Sequence, residues 1–201
     1  MMNKVNQTYI SQEIIKIFNS AKKFFINFDS IDLEVSYKND DSPLTALDTE
    51  IDQFIRKELK KLNEDFALIS EETSLQQASS EYAWIIDPID GTKELISGSD
   101  EFTLNIALIN EGKPILGAIY QPMKDSIFLG GTDLPPKKII NEKTEVLSNK
   151  DNQICNVLIS KSHSNKEEKD FCVKVMSKFK ESEVIRMGSS IKFCRICEGI
   201  A

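Results

Sequence analysis

The sequence lacks several features that would place it in a special class of protein. Only 8 glycines and 6 prolines occur among 201 residues, and 40% of the residues are hydrophobic. This composition excludes a fibrous or disordered chain and favours a globular one with a sizeable core. No apolar run approaches the roughly 20 residues of a membrane span, and the first residues hold no secretory signal core. We therefore predict a cytoplasmic protein, with peripheral attachment to the inner membrane as the alternative.

Histidine and cysteine are also scarce. His163 is the only histidine, which argues against a zinc–histidine site or a phosphohistidine pair. Cys194 and Cys197 form a C-x-x-C pair, but a structural zinc site needs four ligands and no second pair is present. We expect all four cysteines to be thiols of a reducing compartment.

Basic residues are in the minority. Lysine and arginine number 25 against 32 aspartates and glutamates, a formal net charge of −7. Such a surface repels the phosphate backbone of a nucleic acid, so we predict no nucleic-acid polymer as partner. A small anionic substrate remains compatible where divalent cations invert the local field. The oligomeric state is left open.

Apolar periodicity predicts two helices followed by strands. The first helix is predicted from Val5 to about Phe28, and the second begins at Thr45, whose hydroxyl caps it, with Asp48 three residues on. Short apolar runs follow, and loops of hairpin length between the last three imply an antiparallel meander. The runs are 66–70, 83–87, 103–109, 115–120 and 126–131.

The pattern changes after the prolines at 135–136. Strands predicted at 157–160 and 183–188 alternate with helices at about 165–180 and 189–198. We predict an α+β part over 1–134, carrying the metal site, and an α/β part over 135–201. The sequence stops directly after a helix, where another strand is expected. We therefore expect an incomplete chain with an unfinished last layer.

Acidic residues gather at the ends of predicted elements. Asp87 and Asp90 follow an apolar strand in a predicted tight turn, in which Pro88 fixes φ and Gly91 relaxes it. Glu71 follows another strand end, and Asp48 begins a helix. Taken singly, each acid is explained as a cap, a turn residue or a solvated edge. Together they predict an oxygen-rich site for Mg²⁺.

Six segments of the chain resemble the lithium-sensitive, magnesium-dependent phosphatases of the inositol monophosphatase superfamily. Within that superfamily they resemble the bacterial 3'(2'),5'-bisphosphate nucleotidases most, in register from about residue 10 to residue 201. The segments are KNDDSPLT (38–45), SEE (70–72), WIIDPIDGTKELI (84–96), EFTLNIALINEGKPILGAIYQP (101–122), ISKSH (159–163) and GSSIKFCRICEG (188–199).

The resemblance implies a fold, a reaction and a set of site residues. The fold is a layered α-β-α-β-α sandwich. The reaction converts adenosine 3',5'-bisphosphate (PAP) to AMP and phosphate and is linked to sulfate assimilation. Two or more Mg²⁺ ions would be bound by Glu71, Asp87, Asp90 and the Ile89 carbonyl. Asp48, Thr92 and Glu71 would be catalytic, and Asp48 and Thr92 would orient the attacking water.

The implied substrate-binding residues come from both parts of the chain, so 135–201 would contribute to the nucleotide pocket. They are Gly91, Thr92, His163, Ser190 and Lys192. For Lys192 a solvated helix face is an equal alternative.

One departure from the family pattern concerns the second metal. The family completes that site with an aspartate in a W-D-T-A-like segment, which is absent here, so the activity of these 201 residues stays open. Two enzymatic alternatives are an inositol monophosphatase and a fructose 1,6-bisphosphatase, although the segments 91–94 and 188–194 favour the nucleotidases. A third alternative is a truncated fragment that binds metal without turnover.

Overall fold

The first helix is amphipathic and shorter than its sequence pattern predicts. In this computed structural model, which describes residues 5–26, 33–38, 43–72, 80–148, 154–161 and 165–201, helix α1 spans Gln7–Ala21. The Asn6 side chain caps it. A 3-10 turn, Lys22–Phe24, ends the helical stretch, so the prediction to about Phe28 was too long, and Phe28 itself lies outside the described residues.

A short ribbon leads into the second helix. Strands β1 (Val35–Tyr37) and β2 (Pro43–Thr45) pair in an antiparallel fashion, and helix α2 follows over Ala46–Leu62. Thr45 and Asp48 form a reciprocal capping box at its start. The predicted helix start is therefore confirmed.

Seven consecutive strands form the main sheet, in chain order. The first two are parallel and every later neighbour is antiparallel, which confirms the predicted meander. A short helix, α3 (Thr92–Ile96), lies between the second and third strands. The strands are β3 (Ala67–Ser70), β4 (Tyr82–Asp90), β5 (Thr103–Asn110), β6 (Lys113–Gln121), β7 (Ser126–Gly131), β8 (Leu134–Ile140) and β9 (Lys143–Val146).

The sheet continues past the predicted boundary at 134/135. Pro135 and Pro136 lie within β8, at a register irregularity opposite β7, where a missing backbone N–H costs little. The change to α/β structure falls between Val146 and Cys155 instead. The division of the chain into two parts stays a prediction.

The last part has the predicted order of strand, helix, strand and helix. Strands β10 (Cys155–Ser160) and β11 (Ser182–Met187) are parallel. Helix α4 (Lys166–Met176) is the crossover between them, and α5 (Ile191–Cys197) follows β11.

The core lies between the first two helices and the seven-stranded sheet. Helix α1 packs on β6 and β7, and α2 packs on β4. One contiguous apolar cluster includes the fully buried Phe18, Ile51, Trp84 and Leu104. This packing fixes β4, the strand that carries the acidic residues. Among the described residues, no helix has both the length and the apolar character needed to cross a membrane.

Candidate active site

The two central acids lie on a bulged strand end and not in a tight turn, which corrects the prediction. Asp87 pairs with Asn105, and Asp90 pairs with Thr103, so β4 uses one residue more than β5 between these pairs. In a regular strand, residues three apart face opposite sides of the sheet. The extra residue changes that alternation and allows Asp87 and Asp90 to serve one site.

The chain turns one residue later, at Gly91. Its φ of 97° is in the left-handed region, which side chains rarely adopt. A Cβ atom there would lie 2.9 Å from the carbonyl oxygen of Glu101. Both constraints require glycine, and the turn places Thr92 at the start of α3.

Asp48 and Thr92 are brought together as the sequence suggested. The Thr92 hydroxyl lies 3.2 Å from Oδ1 of Asp48 and 3.2 Å from the Ile89 carbonyl oxygen, and it can donate to either. Asp48 is fully buried, and its other oxygen accepts from the backbone N–H of Thr45 at 2.9 Å and from the Thr45 hydroxyl. The capping box that starts α2 therefore also holds a candidate catalytic carboxylate.

Asp87 is the acid of the site whose pKa is shifted most. Burial, followed by repulsion from Asp90 and Glu71, raises the pKa of Asp87 to about 8. Burial also raises the pKa of Asp90, partly offset by a hydrogen bond from the Ser190 backbone and by the Lys192 charge. Among the described residues, Oδ1 of Asp87 has no hydrogen-bond partner. A buried oxygen of this kind is costly unless a proton or a cation satisfies it.

Lys38 is tied to the acids that end β3. Its ammonium lies 2.8 Å from a carboxylate oxygen of Glu71 and 2.8 Å from one of Glu72. Burial lowers the pKa of Lys38, but hydrogen bonds to both glutamates raise it further, so the net shift is upward. Burial likewise raises the pKa of Glu72 more than Lys38 lowers it.

The donor chemistry fits a divalent cation, although the described residues contain no group of three or more His, Cys, Asp or Glu arranged to hold one. The negative charges of Asp90 and Glu71 both raise the pKa of Asp87, so these carboxylates act on one another. The candidate ligand atoms are oxygens, as Mg²⁺ prefers, and one of them, Oδ1 of Asp87, has no hydrogen-bond partner in the part of the chain that the structure describes. The ion pair with Lys38 holds Glu71 in the position that it takes here, 2.8 Å from the ammonium.

A cleft of about 340 Å³ adjoins these groups. Seven of the predicted site residues line it: Glu71, Ile89, Asp90, Gly91, Thr92, Ser190 and Lys192. Asp87 lines a neighbouring apolar cleft instead, and Asp48 is buried. The Lys192 ammonium donates to the carbonyl oxygens of Ser189, at 2.6 Å, and Met187, at 3.3 Å. His163 lies outside the described residues.

Sequence reasoning missed two polar residues of β5 that contact the site. Asn105 donates to Oδ2 of Asp87 at 3.4 Å and accepts from the Ser190 hydroxyl at 2.8 Å. The Thr103 hydroxyl lies 2.8 Å from that of Ser190. The available signal was the asparagine that interrupts the otherwise apolar run 104–109.

The four cysteines are free thiols. Cys194 is buried, and burial raises its pKa to about 12, which makes its thiol unreactive. Cys197, the other member of the C-x-x-C pair, is exposed, and burial and the Glu198 charge raise its pKa as well.

Comparison with known proteins agrees with this geometry. Residues 4–201 match the Inositol monophosphatase family. The chain is 36% identical over 192 residues to the 3'(2'),5'-bisphosphate nucleotidase CysQ of Buchnera aphidicola, covering 94% of this chain and 67% of that protein. It is 33% identical to the CysQ nucleotidase of Salmonella typhimurium, covering 94% and 72%.

A solved structure supports the same assignment. CysQ from Bacteroides thetaiotaomicron, a bacterial member of the inositol monophosphatase family, superposes with a TM-score of 0.80 at 27% identity, covering 98% of this chain and 79% of that chain. The predicted resemblance and the layered α+β architecture are thus confirmed. The chain belongs to the inositol monophosphatase family.

Proposed function

We propose that this protein is a Mg²⁺-dependent phosphomonoesterase that hydrolyses PAP to AMP and phosphate, in sulfate assimilation. The observation that carries the proposal is the convergence on one cleft of the acids that end β3 and β4, the Thr92 hydroxyl and the Lys192 ammonium. The choice of substrate is supported by relatives named 3'(2'),5'-bisphosphate nucleotidases at 33% to 36% identity.

Glu71, Asp87, Asp90 and the Ile89 carbonyl would hold the cations, two or more in number. When bound, such ions neutralise charge on the phosphoryl oxygens and acidify the attacking water. Asp87 is suited to this role because its Oδ1 has no hydrogen-bond partner within the described ranges and its ionised form is disfavoured without a nearby positive charge.

The pair of Asp48 and Thr92 would orient the nucleophile. Asp48 is fixed at Oδ2 by Thr45, so its Oδ1 is held where the Thr92 hydroxyl can donate to it. A hydroxyl whose proton is committed in this way still has lone pairs that accept from a water. The water oxygen then attacks phosphorus as the bond from phosphorus to the 3'-oxygen breaks. One proton of the water passes to that oxygen, which becomes the ribose hydroxyl, and the other leaves with the phosphate.

The cleft is suited to an anionic substrate despite the acidic chain. Lys192 offers an ammonium within it, held against the carbonyl oxygen of Ser189. The Gly91–Thr92 turn follows the acids directly and lines the same cleft. His163 is proposed as a further substrate contact. The cytoplasmic location predicted from the sequence stays a prediction.

A substrate panel tests the proposal. Phosphate release is measured with purified protein and Mg²⁺ on PAP, inositol 1-phosphate and fructose 1,6-bisphosphate in parallel. We expect kcat/KM to be highest for PAP by about tenfold or more. A preference for either of the other substrates would assign the protein to another branch of the family. Metal binding without release from any substrate would favour a non-catalytic role.

A further inference from the structure

Asn105 occupies a position that the proposed chemistry leaves unexplained. It is the third residue of β5 and lies directly opposite Asp87 of β4, although asparagine is depleted in strands. Its side chain is half-buried, and its amide is fully engaged. The Nδ2 atom lies 3.4 Å from Oδ2 of Asp87 and 3.4 Å from the Thr103 hydroxyl, and Oδ1 accepts from the Ser190 hydroxyl at 2.8 Å.

These contacts form a closed ring of three side chains. The single hydroxyl proton of Ser190 goes to Asn105, so Thr103 must be the donor in its 2.8 Å contact with Ser190. Thr103 in turn accepts from Asn105. Each member therefore donates once and accepts once within the ring, and the second amide proton of Asn105 is directed to Asp87.

The ring determines which oxygen of Asp87 is occupied. Rotation of the Asn105 amide by half a turn would place its oxygen against the Asp87 carboxylate and lose the bond from Ser190. The ring thus keeps an N–H donor on Oδ2 of Asp87, while Oδ1 has no hydrogen-bond partner among the described residues. Ser190, the residue before α5, is therefore linked to Asp87 through Asn105.

We propose that Thr103, Asn105 and Ser190 form a positioning ring that orients the Asp87 carboxylate toward the metal and couples the last part of the chain to the metal site. In this role the Ser190 hydroxyl acts through Asn105, in place of the direct substrate contact that the family resemblance implies. This inference rests on the metal site of the proposed function.

Metal affinity measured without substrate provides the first test. Binding of Mn²⁺ is followed by the electron paramagnetic resonance of the free ion for the wild type, Ser190→Ala, Asn105→Ala and the double variant. Each single change is expected to weaken Mn²⁺ binding about tenfold. The double variant is expected to be no weaker than either single variant, because both changes break the same ring.

Two further variants control for packing and for the loss of a hydroxyl. Ser190→Thr keeps the donor and is expected to retain most of the wild-type affinity. Ser126→Ala removes another buried hydroxyl of the same sheet, bonded to Gln121 and placed on β7, three strands from β4, and is expected to leave Mn²⁺ binding unchanged. Unchanged Mn²⁺ affinity in Ser190→Ala, combined with a raised KM for PAP, would make Ser190 a substrate contact and overturn the ring.

A metal-free readout separates this inference from the proposed function. In protein with EDTA, nitrogen-15 resonances of the Asn105 side-chain amide are expected to show slow hydrogen exchange in the wild type and fast exchange in Ser190→Ala. Fast exchange in the wild type would overturn the ring while leaving the metal site standing. Absence of Mn²⁺ binding by the wild type would overturn the metal site itself, and with it the role of the ring.

Discussion

The seven-stranded sheet and the last β/α segment, residues 155–201, are built differently. Trp84, Phe102 and Leu104 of the sheet region are fully buried in one apolar cluster. In the last segment Phe171, Phe179 and several other large apolar side chains are more than half exposed. The proposed metal ligands thus lie on the part with the larger core, and Ser190 and Lys192 lie on the part with the smaller one.

Specific polar contacts hold the last segment to the sheet region. The backbone N–H of Gly188 donates to Glu101 at 2.8 Å, and Lys161 pairs with the same carboxylate at 2.9 Å. Glu198 lies 2.6 Å from Lys138 of β8. Burial raises the pKa of Glu198, but Lys138 and Arg195 lower it further. We therefore expect that substitutions in residues 155–201 can alter substrate binding without unfolding the sheet that carries the acids.

The largest effect is expected when a proposed metal ligand of the seven-stranded sheet is replaced. Asp90→Asn removes one charge from the site that stabilises the transition state, and kcat for PAP should fall roughly 100-fold. KM should change less, because the loss is mainly in the transition state. Steady-state phosphate release measures both constants. The exposed Asp65→Asn is the control, and an Asp90→Asn enzyme with wild-type kcat would remove Asp90 from the site.

A substitution in the last segment should instead change KM more than kcat. Lys192→Ala removes an ammonium that lines the cleft, so KM for PAP should rise about tenfold while kcat changes little. The exposed Lys60→Ala serves as the control for loss of one positive charge. Unchanged KM would support the alternative in which Lys192 is a solvated helix residue.

The pH dependence of stability tests the raised pKa of Asp87 in the sheet region. In metal-free protein the folded pKa of Asp87 is about 8, against an ordinary value of 3.8. Folded protein thus holds a proton that the unfolded chain loses, and stability should fall as pH rises from about 4 to about 8. Urea unfolding in EDTA across this range measures the slope. Asp87→Asn should reduce it, and an identical slope in both proteins would contradict the assigned pKa.

The smallest effect is expected at Lys38. Lys38→Gln removes the positive charge beside Glu71 and Glu72, so the metal-free Tm should fall by about 2 to 5 °C. Added Mg²⁺ should then raise the Tm of this variant more than that of the wild type, because more uncompensated negative charge is relieved. Lys60→Gln provides the comparison. Equal Mg²⁺ shifts in Lys38→Gln and the wild type would show that the ion pair does not influence cation binding.

Sequence periodicity predicted most elements because their apolar faces are buried. The strand order from β5 to β7 followed from apolar runs joined by short loops. Strands β8 and β9 were missed because Pro135, Pro136 and several lysines interrupt any alternation, and only the irregular register with β7 accommodates the prolines. Local patterns carry no information about such an irregularity.

The site was predictable where its residues are close in sequence. The acids at 87 and 90 and the capping box at 45 and 48 were read from local spacing. Asn105 and Lys38 were not placed in the site, because their contacts depend on register and loop path. Asn105 meets Asp87 through the pairing of β4 with β5, and Lys38 meets Glu71 across 33 residues. The proposed roles of the site residues stay predictions until they are measured.

Chelation tests whether phosphate release depends on bound cations. Phosphate release from PAP is followed with Mg²⁺, then with excess EDTA, and again after Mg²⁺ is restored. If the carboxylates at the ends of β3 and β4 work through bound cations, release should stop in EDTA and recover with Mg²⁺, and Li⁺ or Ca²⁺ should inhibit it. Undiminished phosphate release in excess EDTA would contradict the proposed metal-dependent mechanism, even though the fold is that of the family.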